Sequence, residues 1–304
     1  MTAQTRRRFG MFPSANEDAK SAQRHTSSPQ CLAPSYRLAF QDEEFLLRQE
    51  LRPVRLQLEL LKPELILQEQ QIESTIVIYG SARTLDPDEA ALRLEKVMDG
   101  LKKNPDDLLL QNELVRARNA VAKSRYYTEA RRLGRLISEH SETYKHVVVT
   151  GGGGGIMAAA NQGAHDVGAK SIGMNIVLPF EQEPNPYITP ELCFQFHYFA
   201  IRKMHLLMRA QALVAFPGGF GTMDELFEAL TLIQTSKVKP MPVILFGRRF
   251  WQKVINFESL VEEGTISPQD VNLFTYVSTA EQAWEIIAAS CCPSSNGNGA
   301  NAQN

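Results

Sequence analysis

The stretch HVVVTGGGGGIMAAANQGA, residues 146–164, decides the fold. Its opening valines are apolar and β-branched on consecutive positions, the pattern of a strand buried on both faces. Five glycines, Gly151 to Gly155, then permit a tight turn, and the small and apolar residues that follow read as a helix. A strand that runs through a glycine turn straight into a helix is the repeating unit of a parallel sheet layered with helices.

Working outward, the same unit recurs along the chain. Strands are expected at TIVIYG (75–80), KSIGMNIVL (170–178), ALVAFPG (212–218), MPVILFG (241–247) and, more weakly, LFTYVS (273–278). Helical segments are expected between them, clearest at 125–140, 156–167, 200–209, 222–234, 250–262 and 280–290. The fold class is therefore α/β, a parallel sheet with helices on both faces, over residues 74–290. An insertion at 87–123 has charge-rich helical periodicity broken at Asn104-Pro105, which predicts an exposed helical hairpin. Residues 36–73 place Leu and Phe at helical spacing interrupted by Pro53 and Pro63, which predicts an arm of two or three short helices. Residues 1–35 and 291–304 are poor in apolar side chains and are expected to be disordered tails.

Composition excludes several classes of function. The 304 residues are 43% hydrophobic and 22% charged with a net charge of -2, so nothing in the bulk charge asks for nucleic acid. No apolar run approaches a membrane span, and the start MTAQTRRRFGMFPS lacks the apolar core of a secretory signal, so a cytoplasmic protein is expected. The four cysteines, Cys31, Cys193, Cys291 and Cys292, and the six histidines show no ligand spacing, so no metal is expected.

In an open α/β sheet, ligands bind where loops leave the carboxyl ends of the strands. Three such loops stand out: YGSART after the first strand, the glycine run 151–155 after the second, and FPGGFGTMDE (216–225). Gly152, Gly153 and Gly154 would bring backbone N–H groups onto an anion at a helix N-terminus; a tight turn that only packs strand against helix is the other reading. Pro217, Gly218, Gly219, Phe220 and Gly221 end a strand and open a helix that Thr222 is placed to cap. Asp224 and Glu225 in its first turn either complement the helix dipole or project a carboxylate into the cleft. Arg202 and Lys203 stand one helix earlier, as a solvated basic pair or as cationic donors at the same end of the sheet. There is no GxGxxG followed by a ribose-binding acid and no GxxxxGK[ST], which removes the main support for dinucleotide oxidoreductases and ATPases.

PGGFGTMDE from Pro217 to Glu225, with Arg202-Lys203 upstream, resembles the Lonely guy family, the cytokinin riboside 5'-monophosphate phosphoribohydrolases, whose signature is PGGxGTxxE. The resemblance covers roughly residues 75–290. It implies a Rossmann-like fold, a homodimer or higher homo-oligomer, and cleavage of AMP or an N6-modified AMP to free base and ribose 5-phosphate, with no cofactor. It implies catalytic roles for Arg202 and Glu225. Substrate binding would fall to Gly80, Ser81, Gly152, Gly153, Gly154, Lys203, Gly218, Gly219, Phe220, Gly221, Thr222 and Thr231. The arm, the insertion and the long connector LPFEQEPNPYITPELCFQFHYF (178–199) depart from the shorter members and look like a longer, mainly bacterial branch; Glu181 in the connector is a candidate base contact. Members of the family carry the label lysine decarboxylase, yet no Schiff-base lysine with a partner for a pyridine nitrogen is apparent. The alternative function is a non-catalytic nucleotide or molybdenum-cofactor carrier.

Overall fold

The computed structural model describes residues 13–22, 28–179 and 183–291. Two compact units divide the chain, Met1–Glu59 and Leu60–Asn304. In the first, part of the stretch expected to be disordered is helical. Ala15–Ala22 forms a helix because Ser14 and Glu17 make a reciprocal capping box: the Glu17 N–H donates to Ser14 Oγ at 3.3 Å, and the Ser14 N–H donates to Glu17 Oε2 at 2.7 Å. Ser28 caps a second short helix, Pro29–Leu32. The rest of the expected tails, 1–12, 23–27 and 292–304, lies outside the described residues.

The expected arm holds the short helix Glu43–Leu46 and the longer Arg52–Glu69. The longer one does not break at the prolines as expected, because Pro53 lies in its first turn, where no N–H is needed, and Pro63 is carried in its interior.

In the second unit the strands are β1 (Ser74–Tyr79), β2 (His146–Thr150), β3 (Ser171–Ile176), β4 (Cys193–Phe196), β5 (Ala210–Ala215), β6 (Val243–Phe246) and β7 (Phe274–Val277). They form one sheet in the order β4-β3-β2-β1-β5-β6-β7, and every neighbouring pair is parallel. This is the Rossmann-like arrangement. β4 is an addition to the sequence reading: CFQF is short, buries only Phe194 and Phe196, and pairs with β3 alone.

Alternation along the central strands builds two cores. Val77, Tyr79, Leu213 and Ala215 face the helices Phe199–Met208, Phe220–Gln234 and Arg248–Val254, together with Leu67 of the arm helix. Ile76, Ile78, Ala212 and Val214 face the helices Leu108–Glu139, Ile156–His165 and Ala280–Cys291. Helices on both faces therefore make the three-layer fold.

The insertion is a hairpin of Pro87–Lys103 and Leu108–Glu139, turning at Asn104. Its second helix does not stop at the insertion. It runs on as the core helix that was expected to begin near residue 125, because no Gly or Pro interrupts residues 108–133. The expected helix 250–262 is instead two, Arg248–Val254 and Phe257–Glu262, because Asn256 caps the second by accepting from the Ser259 N–H at 3.2 Å.

Leu108–Glu139 crosses Ile156–His165 at backbone contact. A Cβ at Gly134 would meet the Ala160 carbonyl, and one at Gly163 would lie 2.7 Å from the Arg135 nitrogen. Gly163→Ala should therefore lower stability by about 1–3 kcal/mol through overpacking. The shift of the urea unfolding midpoint at constant slope measures it.

Candidate active site

β1 and β5 lie side by side at the middle of the sheet, and the strand order departs in opposite directions from them. The crevice above their carboxyl ends is a topological switch point. Three loops close over it, joined by one residue. The Ser81 N–H donates to the Pro217 carbonyl at 3.0 Å, and the Ser81 carbonyl accepts from the Ile156 N–H at 3.1 Å. The loop after β1 is thus pinned to the PGG loop on one side and to the start of the helix after the glycine run on the other. Gly80 is required by this approach, since a Cβ there would come within 2.6 Å of Ile156.

The glycine run is held from behind by a buried polar network. Gly152 has φ +78 and donates its N–H to Thr150 Oγ1 at 3.0 Å. Asn185 Nδ2 donates to the carbonyls of Gly152 at 3.1 Å and Gly153 at 3.0 Å, and to Asn161 Oδ1 at 3.0 Å. Asn161 accepts from Thr150 Oγ1 at 2.7 Å and donates to Ser171 Oγ at 3.0 Å. With these carbonyls anchored rearward the loop keeps a fixed backbone, and because the Gly152 N–H is spent on Thr150, Gly152 shapes the loop and does not offer the anion donor expected of it.

Arg202 enters from the Phe199–Met208 helix and is 8% exposed. Its Nε donates to the Met174 carbonyl within β3 at 2.7 Å, and its Nη1 donates to Glu225 Oε1 at 2.9 Å. A Cβ on Gly151 would stand 2.6 Å from its Nη2, so the first glycine of the run makes room for the guanidinium. Burial pushes the Glu225 carboxyl above its ordinary value, and the Arg202 charge opposes that rise without cancelling it.

The helix that carries Glu225 begins at Phe220, two residues earlier than expected, with Gly219 as N-cap and no side-chain cap. Thr222 is therefore not the cap. It is 6% exposed in the first turn and fits only because Gly218 has no Cβ, which would lie 2.6 Å from its own Cβ. The Phe220 side chain is 97% exposed, so within this chain only its backbone faces the loop. Lys203 Nζ bridges Asp224 at 3.0 Å and Glu228 at 2.8 Å. Burial lowers its affinity for the proton, but the bonds to Glu228 and Asp224 outweigh that and its pKa is raised.

Thr231 does not join the pair. Six residues place it about 120° around the helix from Glu225. Its hydroxyl donates to the Phe227 carbonyl at 2.7 Å, and it lines a shallow hollow with Asp224, Phe227 and Glu228. Glu181 lies outside the described residues.

Tyr79, the last residue of β1, belongs to the site and is absent from the sequence reading. Burial first, and then the negative charge of Glu225, hold its phenol protonated well above the ordinary range. Asn161, Asn175 and Asn185 are likewise new. Asn175 Nδ2 donates to the Phe194 carbonyl at 3.2 Å, and a Cβ on Gly152 would lie 2.5 Å from its amide. The signal for Asn161 and Asn175 is polarity inside the apolar runs AAANQGA and GMNIVL, where an amide is tolerated only with partners, whereas Asn185 stands in the polar connector and carries no such signal.

Asn185→Asp keeps the shape and removes the side-chain donor to Gly152, Gly153 and Asn161; the Gly152 carbonyl keeps the Asn185 N–H and Asn161 keeps Thr150, so the bond to the Gly153 carbonyl is the one not replaced. Stability should fall by about 1–3 kcal/mol, the cost of leaving one such acceptor unpaired, read as a lower denaturation midpoint.

Comparison with known proteins follows the same residues. A family described as possible lysine decarboxylase matches residues 157–287. The cytokinin riboside 5'-monophosphate phosphoribohydrolase LOG3 of Arabidopsis thaliana is 30% identical over 165 residues, 53% of this chain and 73% of that protein. LOG4 of the same plant is 30% identical over 45% of this chain and 63% of its own length. A probable enzyme of that name from Oryza sativa subsp. japonica is 28% identical over 46% of this chain and 60% of its own. Among solved structures, a Moco carrier protein from Chlamydomonas reinhardtii is 18% identical at a TM-score of 0.42, covering 72% of this chain and 97% of that one. With the relative from Arabidopsis matched across most of its length, the chain belongs to the Lonely guy family.

Proposed function

We propose that the chain hydrolyses the N-glycosidic bond of a nucleoside 5'-monophosphate, AMP or an N6-modified AMP, to free base and ribose 5-phosphate. The observation that carries the reading is the buried pair of Arg202 and Glu225 at the switch point, beneath two loops that open helices. Membership of a family whose relatives are named phosphoribohydrolases supports it, and the carrier alternative is the less supported.

The 5'-phosphate lies against the N–H groups of the glycine run and of the Gly219–Thr222 turn, at two helix N-termini. As the bond from C1' to the base nitrogen breaks, its electron pair leaves with the base and the ribose acquires oxocarbenium character. Glu225, ionised, faces that positive charge in a site with little water to screen it. Arg202 fixes the carboxylate from one side while anchored to the Met174 carbonyl, so the group is oriented before substrate arrives. Water adds to C1', giving up one proton as the base gains one. Lys203, held by Asp224 and Glu228, supports the substrate side of the same helix. A cytoplasmic homodimer or larger homo-oligomer completes the proposal. No helix among the described residues is long and apolar enough to cross a membrane.

Incubation with AMP and N6-substituted AMP should yield free base and ribose 5-phosphate by chromatography; a panel of nucleoside monophosphates that gives no base sinks the reading. Glu225→Gln should retain nucleotide binding and lose turnover by at least about a hundredfold, the scale on which one electrostatic group acts. The acid limb of the rate profile should sit above the ordinary carboxylate value of 4.5, because burial raises Glu225 and only its ionised form serves. Activity is then lost as pH falls through that raised value, and kcat followed from pH 4 to 8 is the measurement.

A further inference from the structure

The carboxyl edge of the sheet holds a second hollow that the proposed reaction does not use. β6 ends at Phe246 and β7 at Val277, and the Gly247 N–H donates to the Val277 carbonyl at 2.9 Å, drawing the two strand ends together. Above them is a hollow of about 530 Å³ lined by Arg125, Arg248, Arg249, Lys253, Gln252 and Ser278, with Gly247 at its base. Four of the lining side chains are cations and none is an acid.

Most basic side chains of the neighbouring helix face are matched. Arg131 pairs with Asp166, Arg132 with Glu281 and Arg135 with Glu139. Among the described residues, by contrast, none of the four cations of the hollow is in an ion pair. Glu129 accepts from the Ala280 N–H at 2.7 Å. Glu258 shares the adjoining hollow with Arg248 and Ser278 without forming an ion pair with Arg248.

Two of the cations are also held in place by aromatic rings. The Arg125 guanidinium lies 4.8 Å over the Tyr126 ring and donates to its hydroxyl at 2.9 Å. Arg248 lies 5.2 Å over the Tyr276 ring. Gly247, at φ +85, lets the chain pass over Tyr126, whose hydroxyl would be 2.8 Å from a Cβ there. Four like charges drawn around one concavity repel one another, and a bound polyanion reverses the sign of that interaction. A monophosphate is too small to meet cations contributed by two helices on opposite layers of the sheet. A chain of two or three phosphates presents enough oxygens to reach them, including the forked donors of the arginines.

We propose that this hollow is a second anion site, separate from the Arg202–Glu225 cleft, which takes a small molecule bearing two or more linked phosphate groups. The proposal does not depend on the hydrolase reading, because its readout is binding.

The test is titration calorimetry of the full chain with inorganic tripolyphosphate at low salt. The wild type is compared with Arg249→Ala/Lys253→Ala, and with Arg125→Ala on a different helix. All the substituted side chains are exposed, and circular dichroism with thermal unfolding verifies the fold. Saturable binding is expected in the wild type, weakened at least tenfold by the double substitution and weakened by Arg125→Ala, while AMP turnover by both variants stays as in the wild type. Glu225→Gln should leave the same component in place. Equal affinity in wild type and double variant, absence of binding at low salt, or orthophosphate binding as tightly as tripolyphosphate would each overturn the proposal.

Discussion

A guanidinium sealed under the strand ends is the constraint on which the rest of the site depends. Arg202 is almost fully removed from water, and an unmatched charge in that position is costly enough to undo much of a domain's net stability. Its two bonds, to the Met174 carbonyl and to Glu225, explain why neighbouring features take the form they do. Gly151 has no side chain because the guanidinium occupies that space. The helix bearing Glu225 starts at Phe220 after an N-cap glycine with no side-chain cap, which moves the carboxylate from the expected first turn to the second, against the arginine. Removing either partner leaves the other charged and buried, a loss of about 3–5 kcal/mol in comparable pairs.

Backbone bonds do the joining that side chains do elsewhere. Ser81 uses its N–H and its carbonyl to hold the PGG loop and the helix after the glycine run, so the three loops at the switch point form one unit. The polar network behind Gly152 and Gly153 then fixes the remaining freedom of the glycine run. The connector that supplies Asn185 is also the segment that supplies the edge strand β4, and it secures the loop from the rear.

How much of this was legible depended on the range of the interaction. Valine runs and glycine turns act within a few residues, so six of the seven strands and the parallel sheet could be read directly from the sequence. The signature segment with Arg202 was legible through family resemblance, whereas the dipole explanation of Glu225 was equally good from local chemistry. Tyr79 and Asn185 were not legible, because their importance arises from partners far away in the chain, such as Gly152 for Asn185, and Asn161 and Asn175 offered only their polarity inside apolar runs. Helix boundaries failed where a local rule was outweighed. Pro63 sits inside Arg52–Glu69, and the helix Leu108–Glu139 ignores the boundary drawn between insertion and core.

That uninterrupted helix gives the insertion a mechanical meaning. At 32 residues it is a strut about 48 Å long at 1.5 Å per residue. One end carries the hairpin partner Pro87–Lys103, and the other is locked at Gly134 and Gly163 against Ile156–His165, the helix that begins directly at Gly155. A load applied to the hairpin is carried along a stiff member to the helix that springs from the glycine loop, with no hinge between them to absorb it.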